Sequence, residues 1–344
     1  MKRLALLLGL LLSACGKPVS PPYSQESFVF GTRVQLSIWG VPEAKARQAA
    51  AAVMADLDRL HIKLHAWKSG PVTQLNQALA GSRTPQAIDA ELEQLLRLSQ
   101  DYAARADNLF NPAIGKLVAA WGFHADQFAP QRPSPQTLAT LLQAAPSMKD
   151  LHIEPHQVSN SNPALQLDFG GIAKGWALDR EIDSLRQHGI SNALLNIGGN
   201  VRAIGKKGDQ AWRVGLQHPR QSGPMAWLEL HDGEAIGTSG DYQRYFDLDG
   251  QRYCHLLDPR TGQPAQGMQA ATVLVGNMSD AGARSDAATK PLFIDGVSNA
   301  MRHAAKFDLN WIVLIDAHGK VYASRAAKQR LHWQGDAPSV QLLD

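Results

Sequence analysis

Cysteine is scarce. Cys15 and Cys254 are the only two in 344 residues, so there is no disulfide framework and the fold rests on core packing. Net charge is only +3 with no long run of one sign, which removes the strongly basic field of a nucleic-acid binder. There is no low-complexity tract and no short internal repeat. The one clean apolar run, residues 4–12, is too short to span a bilayer as a helix. Several motifs are also missing: H-E-x-x-H, G-x-G-x-x-G, a Walker A loop and the kinase H-R-D loop. What is present is a chain that is 44% hydrophobic, long enough for one large domain or two small ones with a sizeable core.

Lys2 and Arg3 precede the apolar run, which reads as the core of a signal peptide. It ends in Leu12-Ser13-Ala14-Cys15-Gly16, which resembles the bacterial lipobox, where cleavage precedes a cysteine that is then lipidated. Residues 1–14 are therefore expected to be a signal peptide. Residues 15–26, Pro- and Ser-rich after the cysteine, are expected to be a lipidated tether, and residues 27–335 the folded domain. The expected location is a bacterial membrane surface facing the periplasm. Gly16 leaves inner and outer membrane equally open. With Cys15 lipidated, Cys254 is the only remaining thiol.

Alternation over residues 28–39 predicts a strand or hairpin start, and Ala49, Val53, Leu57, Leu60 and Leu64 predict a helix over 42–64. His61 and His65 stand four apart on it, a metal-binding spacing without the accompanying Glu, and a packed or solvated face fits them better. Further helices are expected over 85–105, from Pro112 to about Trp121, and over 172–187, 281–288 and 297–305. Strands are expected at "LQLDF", "NALLNIGG" and "WIVLID", with short β runs dominating residues 201–275. The pattern predicts a single α+β domain of mixed sheets and packed helices.

Singly, the chemistry-bearing stretches are ambiguous. Gly170-Gly171 and Gly198-Gly199 serve close ligand approach or a tight turn equally well. "GTSGDYQRYF" offers hydroxyls to a phosphate or forms a polar hairpin turn. In "YCHLLDPRTGQPAQ" adjacent strand residues face opposite ways, so Cys254 is expected buried and His255 presented. Arg260 in the turn that follows is available for an anion. Asp286 is a candidate ligand for a hard cation, but the i,i+4 spacing to Lys290 favours an ion pair.

In order, "FGT", "WKSGPVTQLN", "FNPAIGKLVAAWGF", "LDFGGIAKGWALD", "NIGGNVRAIG", "GTSGDYQRYF", "HLLDPRTGQP" and an Asp-bearing helix before "PLFIDG" resemble the ApbE-type FAD:protein FMN transferases, over about residues 28–316. The resemblance implies one α+β flavin-transferase domain with FAD in a cleft. It implies transfer of FMN from FAD through a phosphoester to a Thr hydroxyl of a target flavoprotein, often a subunit of a membrane redox complex, with release of AMP. His255 is then the base. Phe30, Trp67, Leu109, Phe110, Asn111, Asp168, Lys174 and Leu256 contact FAD, while Gly171, Asp286 and Thr289 hold Mg²⁺. Two positions depart from the pattern: Lys290 stands where a metal-binding Thr is usual, and Asn111 where an Asp is common. Lys290 therefore predicts magnesium dependence weaker than is typical. The same site using water would be an FAD pyrophosphatase, and without turnover an FAD-binding or storage lipoprotein.

Overall fold

A computed structural model describes residues 21–343 apart from 126 and 128, so the signal peptide and Cys15 lie outside the described residues. A nine-stranded sheet runs through the molecule in chain order: β1 (Tyr23–Val29), β2 (Thr32–Ile38), β3 (Ala193–Ile197), β4 (Asn200–Ile204), β5 (Ala235–Gly240), β6 (Met268–Val275), β7 (Trp311–Asp316), β8 (Val321–Ala323) and β9 (Val340–Leu342). Neighbours are antiparallel except β8 and β9, which are parallel. The sheet starts before residue 27 and ends after 335, so the folded unit takes in residues assigned to the tether and extends past the expected domain end.

Both faces of the sheet are covered, and side-chain alternation sorts its residues between two cores. On β7, Ile312 and Leu314 join one core while Trp311, Val313 and Ile315 join the other. The first core takes in α1 (Glu43–Leu64), α2 (Pro71–Gly81), α3 (Ala90–Arg105), α6 (Ala173–Gln187) and α7 (Ala281–Asp295). The second lies under a three-stranded sheet of Trp212–Gln217, Pro224–Leu230 and His332–Trp333. A third, smaller cluster joins α4 (Gly115–Ala120) and α5 (Pro135–Ala144) to the hairpin Tyr245–Leu248/Gln251–Cys254, through Trp121, Phe123, Phe246 and Tyr253.

The long buried helices α6 and α7 cross at glycine. A methyl group on Gly175 would sit 2.2 Å from the Gly282 carbonyl oxygen, and one on Gly282 would sit 2.4 Å from that of Gly175. Asp179 on α6 accepts hydrogen bonds from the N–H groups of Gly282 (2.7 Å) and Ala283 (2.8 Å), anchoring the first turn of α7. Arg202 on β4 pairs with the same carboxylate.

Several local expectations are corrected. "LQLDF" is not a strand of a sheet. It is an extended segment stitched to residues 112–115 by Asp168 N–H to Pro112 O (2.8 Å), Gln166 N–H to Ala113 O (3.1 Å) and Gly115 N–H to Gln166 O (2.8 Å). "GTSG" is neither turn nor phosphate loop. It is the end of β5, paired residue for residue with β6, with the Thr238 N–H on the Asn200 side chain at the other edge and the Thr238 hydroxyl 3.1 Å from that of Thr272. The glycine pair Gly198-Gly199 is the tight β3–β4 turn, with φ of 59° and 90°. Helix α2 had no clear periodic signal. The 85–105 helix begins only at Ala90, capped by Asp89. Helix α7 runs on through Pro291 to Asp295, past the expected end at 288, and the Thr289 hydroxyl and Lys290 ammonium both donate to the Asp286 carbonyl in the turn before the proline.

Candidate active site

Asp286 lies just past the α6–α7 crossing and is buried. Its Oδ2 accepts the Gly175 N–H at 3.0 Å and stands 3.9 Å from Lys174 Nζ. Its Oδ1 is 2.5 Å from Lys290 Nζ, which also donates to the Asp286 carbonyl at 2.8 Å. The ion pair expected from i,i+4 spacing is therefore made. Burial alone would raise the carboxyl pKa, but the charges of Lys174 and Lys290 hold it below the usual range. Burial pulls Lys290 down to about 8, against the pull of Asp286. Gly171 lies beside this pair: a methyl there would meet Lys290 Cε at 3.3 Å and the Phe110 ring at 3.4 Å.

His255 follows directly on the strand Gln251–Cys254. Cys254 points into the core, where burial pushes its thiol up to about 12, while His255 stays partly exposed, as alternation predicted. Its N–H donates to the Arg244 carbonyl at 3.0 Å, and its Nδ1 lies 3.1 Å from the same oxygen. A carbonyl only accepts, so Nδ1 carries the hydrogen and Nε2 is left with a lone pair. Burial, then the positive charges of Arg244, Lys174 and Lys290, lower the imidazole pKa to about 3. The ring is thus a neutral base set among cations.

A line of rings leads away from the charged centre. Phe30 and His61 meet edge to face at 5.7 Å, His61 and His65 at 5.1 Å, and His65 and Trp67 at 4.5 Å. Trp67 stacks on His124 at 5.2 Å with 27° between planes, and the Arg244 guanidinium lies over Trp67 at 5.6 Å. Phe30 holds a left-handed backbone (φ 54°) in the two-residue β1–β2 turn, a position uncommon for an aromatic residue. Trp67 Nε1 is buried without an acceptor among the described residues. Trp67 and His124 share the wall of a groove of about 540 Å³ with Asn76, Gln77 and Gln166.

His124 Nε2 lies 2.8 Å from Asp168 Oδ2, and Asp168 Oδ1 accepts the Gly170 N–H at 2.8 Å. Lys174 reaches the Gly170 carbonyl at 3.3 Å, closing the chain of contacts back to Asp286. The structure thus brings together Phe30, Trp67, Phe110, Asp168, Gly171, Lys174, His255 and Asp286. Leu109 and Leu256 are buried next to Phe110 and His255 in the chain. Asn111 is committed to backbone, donating to Pro146 O (2.9 Å) and accepting from Ala113 N–H (3.0 Å), an arrangement that shapes its own turn. Arg260, the candidate for an anion, is paired with Asp258 (2.8 Å) and Asp295 (2.7 Å).

The sequence reading missed His124, Phe123 and Arg244. His124 lies three residues past Trp121, in a segment without periodic pattern. Arg244 reaches the site by donating to the carbonyls of Phe123 (2.8 Å) and Ala125 (3.0 Å), a link across more than a hundred residues that no local spacing encodes.

Magnesium, implied by the resemblance, fits this donor set poorly. A hard divalent ion needs oxygen ligands in open octahedral array. The one carboxylate here has an ammonium on Oδ1 and a backbone N–H on Oδ2. The hydroxyl of Thr289 donates to Asp286 O and has Ser239 Oγ at 2.7 Å, so it too is engaged. Among the described residues no three His, Cys, Asp or Glu side chains converge as a metal-binding group.

A sequence model of the ApbE family matches residues 30–313. A FAD:protein FMN transferase of Rhodobacter capsulatus is 40% identical over 331 residues, 95% of this chain and 62% of its own length, so the chain spans less than two thirds of that relative. The enzyme of the same name from Treponema pallidum is 32% identical over 262 residues, 71% of each chain. Among solved structures, an ApbE protein of Thermotoga maritima superposes with a TM-score of 0.80 at 27% identity, covering 90% of this chain and 99% of its own. The apo Pseudomonas stutzeri flavinyl transferase ApbE gives 0.76 at 26%, covering 90% and 96%.

Proposed function

The chain belongs to the ApbE family of flavin transferases, and from that premise we propose that it carries FMN from FAD to a threonine hydroxyl of a target flavoprotein, releasing AMP. One observation carries this reading: His255 has its Nδ1 hydrogen committed to the Arg244 carbonyl, so Nε2 is an unprotonated base beside three cations. A threonine hydroxyl needs such a base, and a pyrophosphate needs such charge.

The balance is simple. The acceptor Oγ–H proton goes to His255 Nε2, and Oγ forms a bond to the FMN phosphorus. The bond from that phosphorus to the bridging oxygen breaks, and AMP leaves with the oxygen. Lys174, Lys290 and Arg244 offset the phosphate charge, and Phe30 and Trp67 offer aromatic surface to the isoalloxazine. No step is assigned to magnesium. Lipidation at Cys15 would hold the enzyme at a membrane surface facing the periplasm, and residues 16–22 would let it reach a subunit of a membrane redox complex.

The test is mass spectrometry of a candidate acceptor, a threonine-bearing domain, after incubation with FAD and the purified protein. One added FMN phosphoester, lost in His255→Ala, is expected. Free FMN with an unlabelled acceptor across a panel of threonine-bearing domains would instead mean a pyrophosphatase.

A further inference from the structure

The disagreement between the donor set and a divalent ion has a constructive side, which rests on the flavin-transferase reading. Lys290 Nζ lies within 2.5 Å of Asp286 Oδ1 and 2.8 Å of Asp286 O, and its Cε lies 3.3 Å from where a side chain on Gly171 would begin. It occupies the space between the carboxylate and the glycine that the resemblance assigns to a metal. A divalent ion added there would face an ammonium across one shared carboxylate, and like charges that close repel strongly in a buried site. The position is also well built. Lys290 is 8% exposed, its chain leaves α7 one residue before Pro291, and Lys174 stands on the other oxygen of the same carboxylate. An ammonium has three N–H donors, and two are accounted for by Asp286, leaving one for a phosphate oxygen.

We propose that Lys290 is a built-in cation in place of a metal: its ammonium, held by Asp286, binds the FAD pyrophosphate directly, and the enzyme takes no divalent ion at this site. The substrate oxygen it meets belongs to the anion whose charge rises as AMP departs. A fixed monovalent cation would make phosphate binding insensitive to the supply of divalent ions, a property of this chain's own residue at position 290.

Two binding measurements on the purified protein test this without relying on turnover, so failure of the transfer reaction would not be mistaken for failure of the inference. The first is Mn²⁺ binding by electron paramagnetic resonance. The unchanged protein should bind Mn²⁺ at least about tenfold more weakly than Lys290→Thr, and Asp286→Asn should abolish the gain. Tight Mn²⁺ binding by the unchanged protein, or no gain in Lys290→Thr, overturns the proposal. The second is FAD titration by flavin fluorescence in EDTA and in Mg²⁺. Affinity should agree within about twofold between the two buffers, fall by about tenfold or more in Lys290→Met, and recover largely in Lys290→Arg. A purely packing role would let the isosteric Met retain affinity and the bulkier Arg lose it. That pattern, or a more than tenfold gain from Mg²⁺ in the unchanged protein, overturns the proposal.

Discussion

His124 Nε2 and Asp168 Oδ2 lie 2.8 Å apart, and the same imidazole stacks on Trp67. This pair joins the aromatic line to the charged centre. Asp168 is held on a segment stitched to residues 112–115, and its carboxyl stays below the usual range. Burial acts to raise it, but His124, the Gly170 N–H and Arg244 outweigh burial. Replacing His124 by Ala therefore removes a stacking partner and half of a partly buried pair. FAD affinity should fall about tenfold and stability by roughly 1–3 kcal/mol. Fluorescence titration and a urea melt would check both, and an unchanged affinity would remove this pair from the flavin site.

The state of His255 sets the acid side of the pH profile. Protonation would add a positive charge beside Arg244, Lys174 and Lys290, so the ring stays neutral in the free enzyme down to about 3. Accordingly kcat/KM should stay level from about pH 7 to about 5 rather than fall near the ordinary histidine value of about 6.5, and should decline above about 8, where Lys290 loses its proton. Bound pyrophosphate neutralises the cations, so the kcat limb should lie at higher pH than the kcat/KM limb. His255→Ala should lose about 10²–10⁴-fold in transfer rate. A half-maximal kcat/KM near 6.5 would mean that the cations do not act on this ring.

Glu181 on α6 is fully buried, and neither carboxylate oxygen has a donor among the described residues. Burial, then the neighbouring Asp56, raises its pKa to about 9. The folded protein therefore keeps a proton that the unfolded chain releases above about 4.5. Proton binding is then greater in the folded state, so stability falls as pH rises from about 4.5 to 9. Glu181→Gln should flatten that slope and stabilise the protein by roughly 1–3 kcal/mol at pH 8. Thermal melts of both proteins across this range would show it, and parallel curves would refute it.

The contact of Gly175 with Gly282 lets α6 and α7 pack closely enough for the Gly175 N–H to reach Asp286. A methyl at Gly175 would fall 2.2 Å from backbone oxygen and 2.7 Å from Asp286 Cβ, and neither can yield without moving a helix. Gly175→Ala should cost roughly 2–4 kcal/mol in a denaturant melt and weaken FAD binding together with it. Gly81→Ala, where a methyl meets nothing within 4 Å, is the control expected to change neither.

Much of this was open to reading in the chain. The helical periodicity of residues 42–64, the alternation that buries Cys254 and presents His255, and the Asp286–Lys290 spacing are local patterns, and each reappears in space. The misreadings have local causes too. "LQLDF" alternates like a strand, but its partner is a loop, and "GTSG" reads as a turn although it pairs with β6 along its whole length.

The sequence by itself determined the long periodic elements, the family resemblance and the kinds of residue available for the chemistry, because hydrophobic period and motif order are properties of neighbours along the chain. Only the tertiary structure decided what those residues do to one another. It committed the Nδ1 hydrogen of His255 to Arg244, brought His124 to Asp168 across 44 residues, and placed the Lys290 ammonium on the carboxylate that a metal would need. Charge state and ligand choice depend on distances of a few ångströms in a dry interior, where Coulomb energies are large. Those distances come from the packing of α6 on α7 and of both on the sheet.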